Sequence, residues 1–244
     1  AIIDGTIGVI KRLYDPRMYA KTGWSTLIAA VLEVEDVVRA ISAISEIEPK
    51  LSKYVSHALR TYEELRDSII FSMFLDKYVY DNLSANLVKL KGDDRRHCSR
   101  LLGVLVDMYN VMTVIGGVYR GLPQELLIKS IVSGYYMISR ELLESMARSR
   151  AALEAVELFS GSRLGLELNR LGLRYVRPQD IPTQIMRFLR IRSEATITSL
   201  PFSVGLAVAV SLLKEFEVRD IALIASAIEA RVRRKVIVEN LIYL

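Results

Sequence analysis

Three features of this sequence predict an all-α protein. Apolar residues recur three and four apart along most of its length, no strict alternation of apolar and polar residues persists over five positions, and only six prolines interrupt 244 residues. Intervals of three and four place side chains on one stripe of a helix, whereas a half-buried strand would show a period of two.

The first twenty residues carry Gly5, Gly8 and Asp15-Pro16, which break periodicity and leave this part weakly specified. From Trp24 to Ile41 the residues Leu27, Ile28, Val31, Leu32, Val34, Val37, Val38 and Ile41 follow helical spacing, as one amphipathic helix or two with a short break. Pro49 marks a turn before a helix that carries Leu51, Tyr54, Val55, Ala58, Leu59 and Tyr62. The pattern continues from Leu65 to Leu90; the Tyr and Phe residues at 62, 71, 74, 78 and 80 keep its spacing and read as core, not as a cofactor box. Lys91-Gly92-Asp93-Asp94 then serves as one C-cap and the next N-cap. A long helix from about Arg95 to Arg120 stops at Gly121-Leu122-Pro123 and is followed by a short one, Gln124 to Val132. Ser133-Gly134 turns the chain, Ser139 starts a small helix, and Ala151 to Phe159 forms another, closed by Ser160-Gly161. Gln179 to Ser193 is helical, Leu200-Pro201 restarts the chain, and Phe202 to Arg231 is a second long helix.

The two long helices are copies of each other. At a constant offset of 110 residues, Asp107 falls on Glu217, Asn110 on Asp220, Val111 on Ile221, Val114 on Ile224, Val118 on Ile228, Leu126 on Val236, Leu127 on Ile237 and Ile131 on Leu241. Residues 107, 111, 114 and 118 step by four, three and four, so each copy has an apolar stripe headed by an acid, with Asn110 or Asp220 on the same face. The offset extends upstream, where Tyr78 and Val79 fall on Phe188 and Leu189. A fainter match, out of register, relates Val34 to Ile41 to Ala151 to Phe159, as if the chain opened in the tail of a further unit.

An apolar content of 51% and a mean hydropathy of +0.26 are high for a chain without a spanning helix, and suggest that some apolar surface meets a partner. The run from Pro201 to Leu213 is too short for a bilayer, and Asp107 and Asn110 interrupt Val104 to Tyr119. The net charge of +5 is mild and scattered, so it does not argue for nucleic acid. Cys98 stands alone, which excludes an internal disulfide and fits a reducing compartment. No targeting segment is visible, and a start at Ala1 is compatible with a longer native protein.

Candidate functional residues are few. A buried carboxylate is costly unless it is paired or hydrogen-bonded, so Asp107, Asn110, Glu217 and Asp220 are expected to pin structure or contact a partner. Lys214 lies three residues before Glu217, and Glu215 can reach Arg219 four residues on. Asp107 and Glu217 could instead act as paired general acid and base across a cleft. His97-Cys98 lacks the further ligands a zinc site needs, so Asp93 to His97 reads as a solvated charged turn. Gly116-Gly117 follows no strand and precedes no Lys-Ser/Thr, so it reads as close helix packing or a kink and not as a phosphate loop. Arg231, Arg233, Arg234 and Lys235 form the densest basic cluster, suited to a solvated face, an acidic partner, anionic headgroups or RNA phosphates; no aromatics interleave to stack bases.

These motifs carry a family resemblance. Leu213-Lys214-Glu215-Phe216-Glu217-Val218-Arg219-Asp220, followed by Ile221-Ala222-Leu223-Ile224-Ala225, resembles the C-terminal signature of the C subunit of archaeal-type (A/V-type) rotary ATP synthases, a relative of the d subunit of V-ATPases. In that family a Lys-Glu-x-Glu-x-Arg-Asn run precedes an Ile-rich helix. Asp107 and Asn110, then Arg120-Gly121-Leu122-Pro123, Ser133-Gly134-Tyr135 and Ser139 with Glu141-Leu142, are similar to the family's second unit. Asp220 departs from the pattern by standing where the family usually has Asn.

The resemblance implies a funnel-like helical protein of three pseudo-symmetric units, the first largely absent: residues 1–69 as its remnant and link, 70–159 as the second and 160–244 as the third. It further implies a non-catalytic central-stalk protein, one copy per complex, on the cytoplasmic face of the membrane as a peripheral component. That component would couple the axle subunits of the ATPase head to the membrane rotor ring for proton or sodium transport, with no cofactor, metal, nucleic acid or small-molecule substrate of its own. A helical-repeat enzyme or a helical RNA-binding module remain the alternatives.

Overall fold

The computed structural model describes residues 49–175, 177–199 and 203–243. Among them are ten α-helices and no strand. In chain order these are α1 (Ser52–Leu65), α2 (Ile69–Leu87), α3 (Gly92–Tyr119), α4 (Gln124–Ser130), α5 (Arg140–Ala147), α6 (Ala152–Ser160), α7 (Arg163–Arg170), α8 (Ile181–Ser199), α9 (Val204–Glu229) and α10 (Arg234–Asn240). The helix expected from Trp24 to Ile41, the fainter match at Val34 to Ile41 and the restart at Leu200-Pro201 lie outside the described residues.

The chain divides into two compact units between Val79 and Tyr80, a point within α2. In the first, Leu51, Tyr54, Val55 and Ala58 are buried, as are Ile70, Phe71, Met73 and Phe74. The rings of Tyr54 and Tyr78 meet edge to face at 5.4 Å, and those of Tyr62 and Phe71 lie 4.9 Å apart. Arg66 ends α1 in the left-handed region, its N–H bonded to the Tyr62 carbonyl.

In the second unit α3 is the central element. Helices α4, α5, α6, α8 and α9 all pack on it, and α8 packs along α9. The core includes Leu101, Val104, Val111, Val114 and Ile115 of α3 with Leu143, Met146, Phe159, Leu168, Ile185, Phe188 and Phe216 from its neighbours. Of the described helices α3 alone is long and apolar enough to cross a bilayer, and its apolar surface is spent on these contacts instead. Gly117 lies against Leu127 of α4, where a side chain on residue 117 would collide. Hydroxyls fix the starts of α5 and α9, since the N–H of Leu142 donates to Ser139 Oγ and that of Leu206 to Ser203 Oγ.

The structure corrects one sequence reading and adds two helices, α7 and α10, to the expected elements. The segment Asp93 to His97 is not a solvated turn: it is the first turn of α3, and while Asp93 and Arg96 form an exposed ion pair, His97 is buried against α9 at Gly205. Ser162 caps α7, and Leu164 and Leu168, one turn apart, bury its inner face.

Candidate functional site

The 110-residue offset is reproduced in the backbone bonds that end the two long helices. Helix α3 ends with the Gly121 N–H on the Val118 carbonyl (3.1 Å) and the Leu122 N–H on the Gly117 carbonyl (2.9 Å). Helix α9 ends with the Arg231 N–H on the Ile228 carbonyl (3.0 Å) and the Val232 N–H on that of Ala227 (2.8 Å). The turn needs a left-handed residue, and Gly121 supplies it at φ 70°. Arg231 takes the same conformation at φ 52°, where an L side chain costs about 1–2 kcal/mol. The short helices that follow, α4 and α10, begin 110 residues apart, at Gln124 and Arg234.

Each copy then returns its chain to the long helix and clasps it. In the first, Asn110 is fully buried; its Oδ1 accepts the Val132 N–H at 2.8 Å and its Nδ2 donates to the Val132 carbonyl at 3.0 Å. In the second, Asp220 accepts the N–H groups of Ile242 (2.9 Å) and Tyr243 (3.0 Å). Residues 132 and 242 both lie 22 positions beyond their clasp. An amide can both give and take, so Asn110 satisfies one peptide's two groups; a carboxylate only accepts, so Asp220 takes two donors. The Arg187 guanidinium acts electrostatically on Asp220 and donates to the carbonyls of Leu241 (2.7 Å) and Glu239 (3.1 Å), closing the end of α10.

The first copy has a further clasp. The N–H groups of Tyr136 and Met137 donate to the two carboxylate oxygens of Asp107 at 3.0 and 2.7 Å. Gly103, one turn earlier, lets this backbone approach: a Cβ there would stand 2.7 Å from Cβ of Tyr136. Asp107 is wholly buried, and that burial pushes its carboxyl up to about 7 against the opposing pull of the Met137, Tyr136 and Ile138 N–H groups.

At the matching place on α9, Glu217 is exposed and bonded to Lys214 Nζ at 2.8 Å. Glu215 and Arg219 are exposed as well. The structure therefore does not gather Asp107 and Glu217 into one cleft; one is sealed under backbone and the other is at the surface. A cavity of about 170 Å³ lined by Ser84, Arg95, Ser99, Tyr135 and Tyr136 includes neither acid. No group of three His, Cys, Asp or Glu side chains among the described residues could hold a metal. Arg231, Arg233, Arg234 and Lys235 are all exposed, around the turn into α10. The backbone donors at 132, 136, 137, 242 and 243 and the role of Arg187 emerge only from the structure, although the offset alone maps 132 onto 242.

A family model described as ATP synthase (C/AC39) subunit matches residues 20–240. The chain belongs to this family. Among its C/AC39 relatives is the C subunit of the A-type ATP synthase of Pyrococcus horikoshii, 28% identical over 171 residues, which are 69% of this chain and 46% of that protein. The corresponding protein of Methanocaldococcus jannaschii is 25% identical over 208 residues, 83% of this chain and 50% of the other. That of Pyrococcus furiosus is 26% identical over 214 residues, 83% and 57% respectively. This C/AC39 chain thus spans about half the length of the relatives it matches. No solved structure matches it significantly.

Proposed function

We propose that this chain acts as a non-catalytic central-stalk subunit of an A/V-type ATP synthase or ATPase. It joins the axle subunits to the membrane rotor ring, so that torque passes between the nucleotide-hydrolysing head and ion transport. Membership in the C/AC39 family over residues 20–240 carries this reading. The site geometry supports it, because both Asp107 oxygens and both Asp220 oxygens are engaged by backbone N–H groups and are not free for a substrate. Long helices tied back at each copy by buried polar bonds are suited to bearing load. On this reading the protein is peripheral, on the cytoplasmic face of the membrane, at one copy per complex, and its units follow the division 1–69, 70–159 and 160–244.

The test is reconstitution. The purified chain should turn over no ATP alone and should co-elute with the axle subunits or with the detergent-solubilised ring. A folded chain that binds neither overturns the proposal.

A further inference from the structure

The cavity beside the Asp107 clasp has three walls. Arg95, Ser99 and Gly103 succeed one another at intervals of four along α3 and line the first. Ser84 and Leu87, near the end of α2, line the second. The third is Gly134 to Tyr136, the backbone that reaches Asp107. All of these residues lie in the second compact unit. A volume of about 170 Å³ is enough for a ligand with a ring, since an apolar cavity of roughly 150 Å³ accepts benzene.

Its polar groups are unspent. Ser84 is only 9% exposed, yet its Oγ has no hydrogen-bond partner, and a Cβ on Gly134 would stand 2.7 Å from that oxygen. A hydroxyl buried without a partner is destabilising, so the fold alone gives no reason for it. Arg95 is exposed and pairs with no acid among the described residues, whereas Asp93 holds the adjacent Arg96 at 2.9 Å. No Asp or Glu lines the cavity, which leaves it a single positive charge. The internal repeat shows that a helix in this position does not require the set. At the offset of 110, Arg95, Ser99 and Gly103 fall on Gly205, Ala209 and Leu213, and Ala209 is fully buried.

We propose that this cavity binds a small organic carboxylate with a compact apolar body. The carboxylate meets the Arg95 guanidinium and the hydroxyls of Ser84 and Ser99, and the body lies against Leu87 and Tyr136. One guanidinium with two hydroxyls suits a single charge, and the volume left beyond a bare oxyanion calls for apolar atoms. The inference rests on the cavity and the repeat and stands whether or not the stalk reading holds.

The probe is sodium benzoate, titrated into the full chain by calorimetry at constant ionic strength. Saturable binding is expected, and benzyl alcohol, which has the ring without the charge, should bind about tenfold more weakly or worse. Arg95→Gln should weaken benzoate by a similar factor, whereas Arg96→Gln, which removes the same charge one residue away, should leave it unchanged. Ser84→Ala should weaken benzoate severalfold without lowering the melting temperature of the unliganded chain, since its hydroxyl makes no bond there. Absence of saturation, or equal loss with Arg95→Gln and Arg96→Gln, overturns the proposal. So does inorganic phosphate binding as tightly as benzoate, which would reduce the site to a contact for any oxyanion. A clear fall in the melting temperature with Ser84→Ala would give that hydroxyl to the fold and overturn it equally.

Discussion

On α3 the stripe of Asp107, Val111 and Val114 lies beneath returning backbone and two short helices; on α9 no helix among the described residues buries the stripe of Glu217, Ile221 and Ile224. The two helices end in the same turn, with the same pair of backbone bonds, and lead into short helices of equal length. What separates them is the acid at the head. Aspartate, one methylene shorter, is held inside by two N–H groups, while glutamate reaches an exposed lysine. A shared periodicity therefore fixes where the helices start and stop, whereas burial of the stripe differs between the two copies among the described residues.

Removing the two acids separately should have the most unequal effects. Asp107→Ala strands two N–H donors under α5 and should cost roughly 2–5 kcal/mol in denaturant unfolding, while Glu217→Ala should stay within about 0.5 kcal/mol. The same residue should govern pH dependence. Asp107 titrates at about 7 when folded and near 3.9 when unfolded, about the model-peptide value. The folded chain thus binds the proton more tightly, so this group's contribution to stability is full below about pH 4 and is lost as pH rises through about 7. In Asp107→Asn that slope should disappear from a series of unfolding curves; an unaltered slope would place its origin elsewhere.

Exchanging the neighbouring clasps should have smaller effects of unequal size. Asn110→Asp loses the donation to the Val132 carbonyl and sets a second carboxylate three residues from Asp107, for about 2–4 kcal/mol. Asp220→Asn keeps an acceptor for one N–H but turns its own N–H₂ toward the other, for about 1–2 kcal/mol. Equal costs would show that the two clasps are interchangeable. The smallest effect concerns the turns: Arg231→Gly should raise stability by about 1 kcal/mol and Gly121→Ala should lower it similarly, both read as melting temperatures.

Much of this architecture is legible in the residues alone. The offset of 110 locates both long helices, the stop after the first and both clasping residues, because apolar spacing and a Gly-x-Pro stop are local features. Helix α7 escapes such a reading because at Arg163–Arg170 it spans barely two turns and shows a single buried pair, Leu164 and Leu168. Helix α10 is hidden by its charge, since Arg231 to Lys235 reads as a basic run before it reads as a turn and a helix start. The open state of Ile221 and Ile228 leaves no trace in the sequence: a stripe of isoleucines says that a surface is apolar, and only the neighbours of α9 decide whether anything lies on it. His97 misleads for a related reason, since a charged stretch gives no sign that one of its members faces another helix.

Cys98, the one cysteine of the sequence, sits fully buried in α3, and burial together with Asp94 raises its thiol above the ordinary range. Only a thiolate within reach of solvent alkylates. The native chain therefore carries its own stopwatch: the rate at which iodoacetamide consumes this sulfur counts how often the innermost rod comes loose, with no dye or label attached.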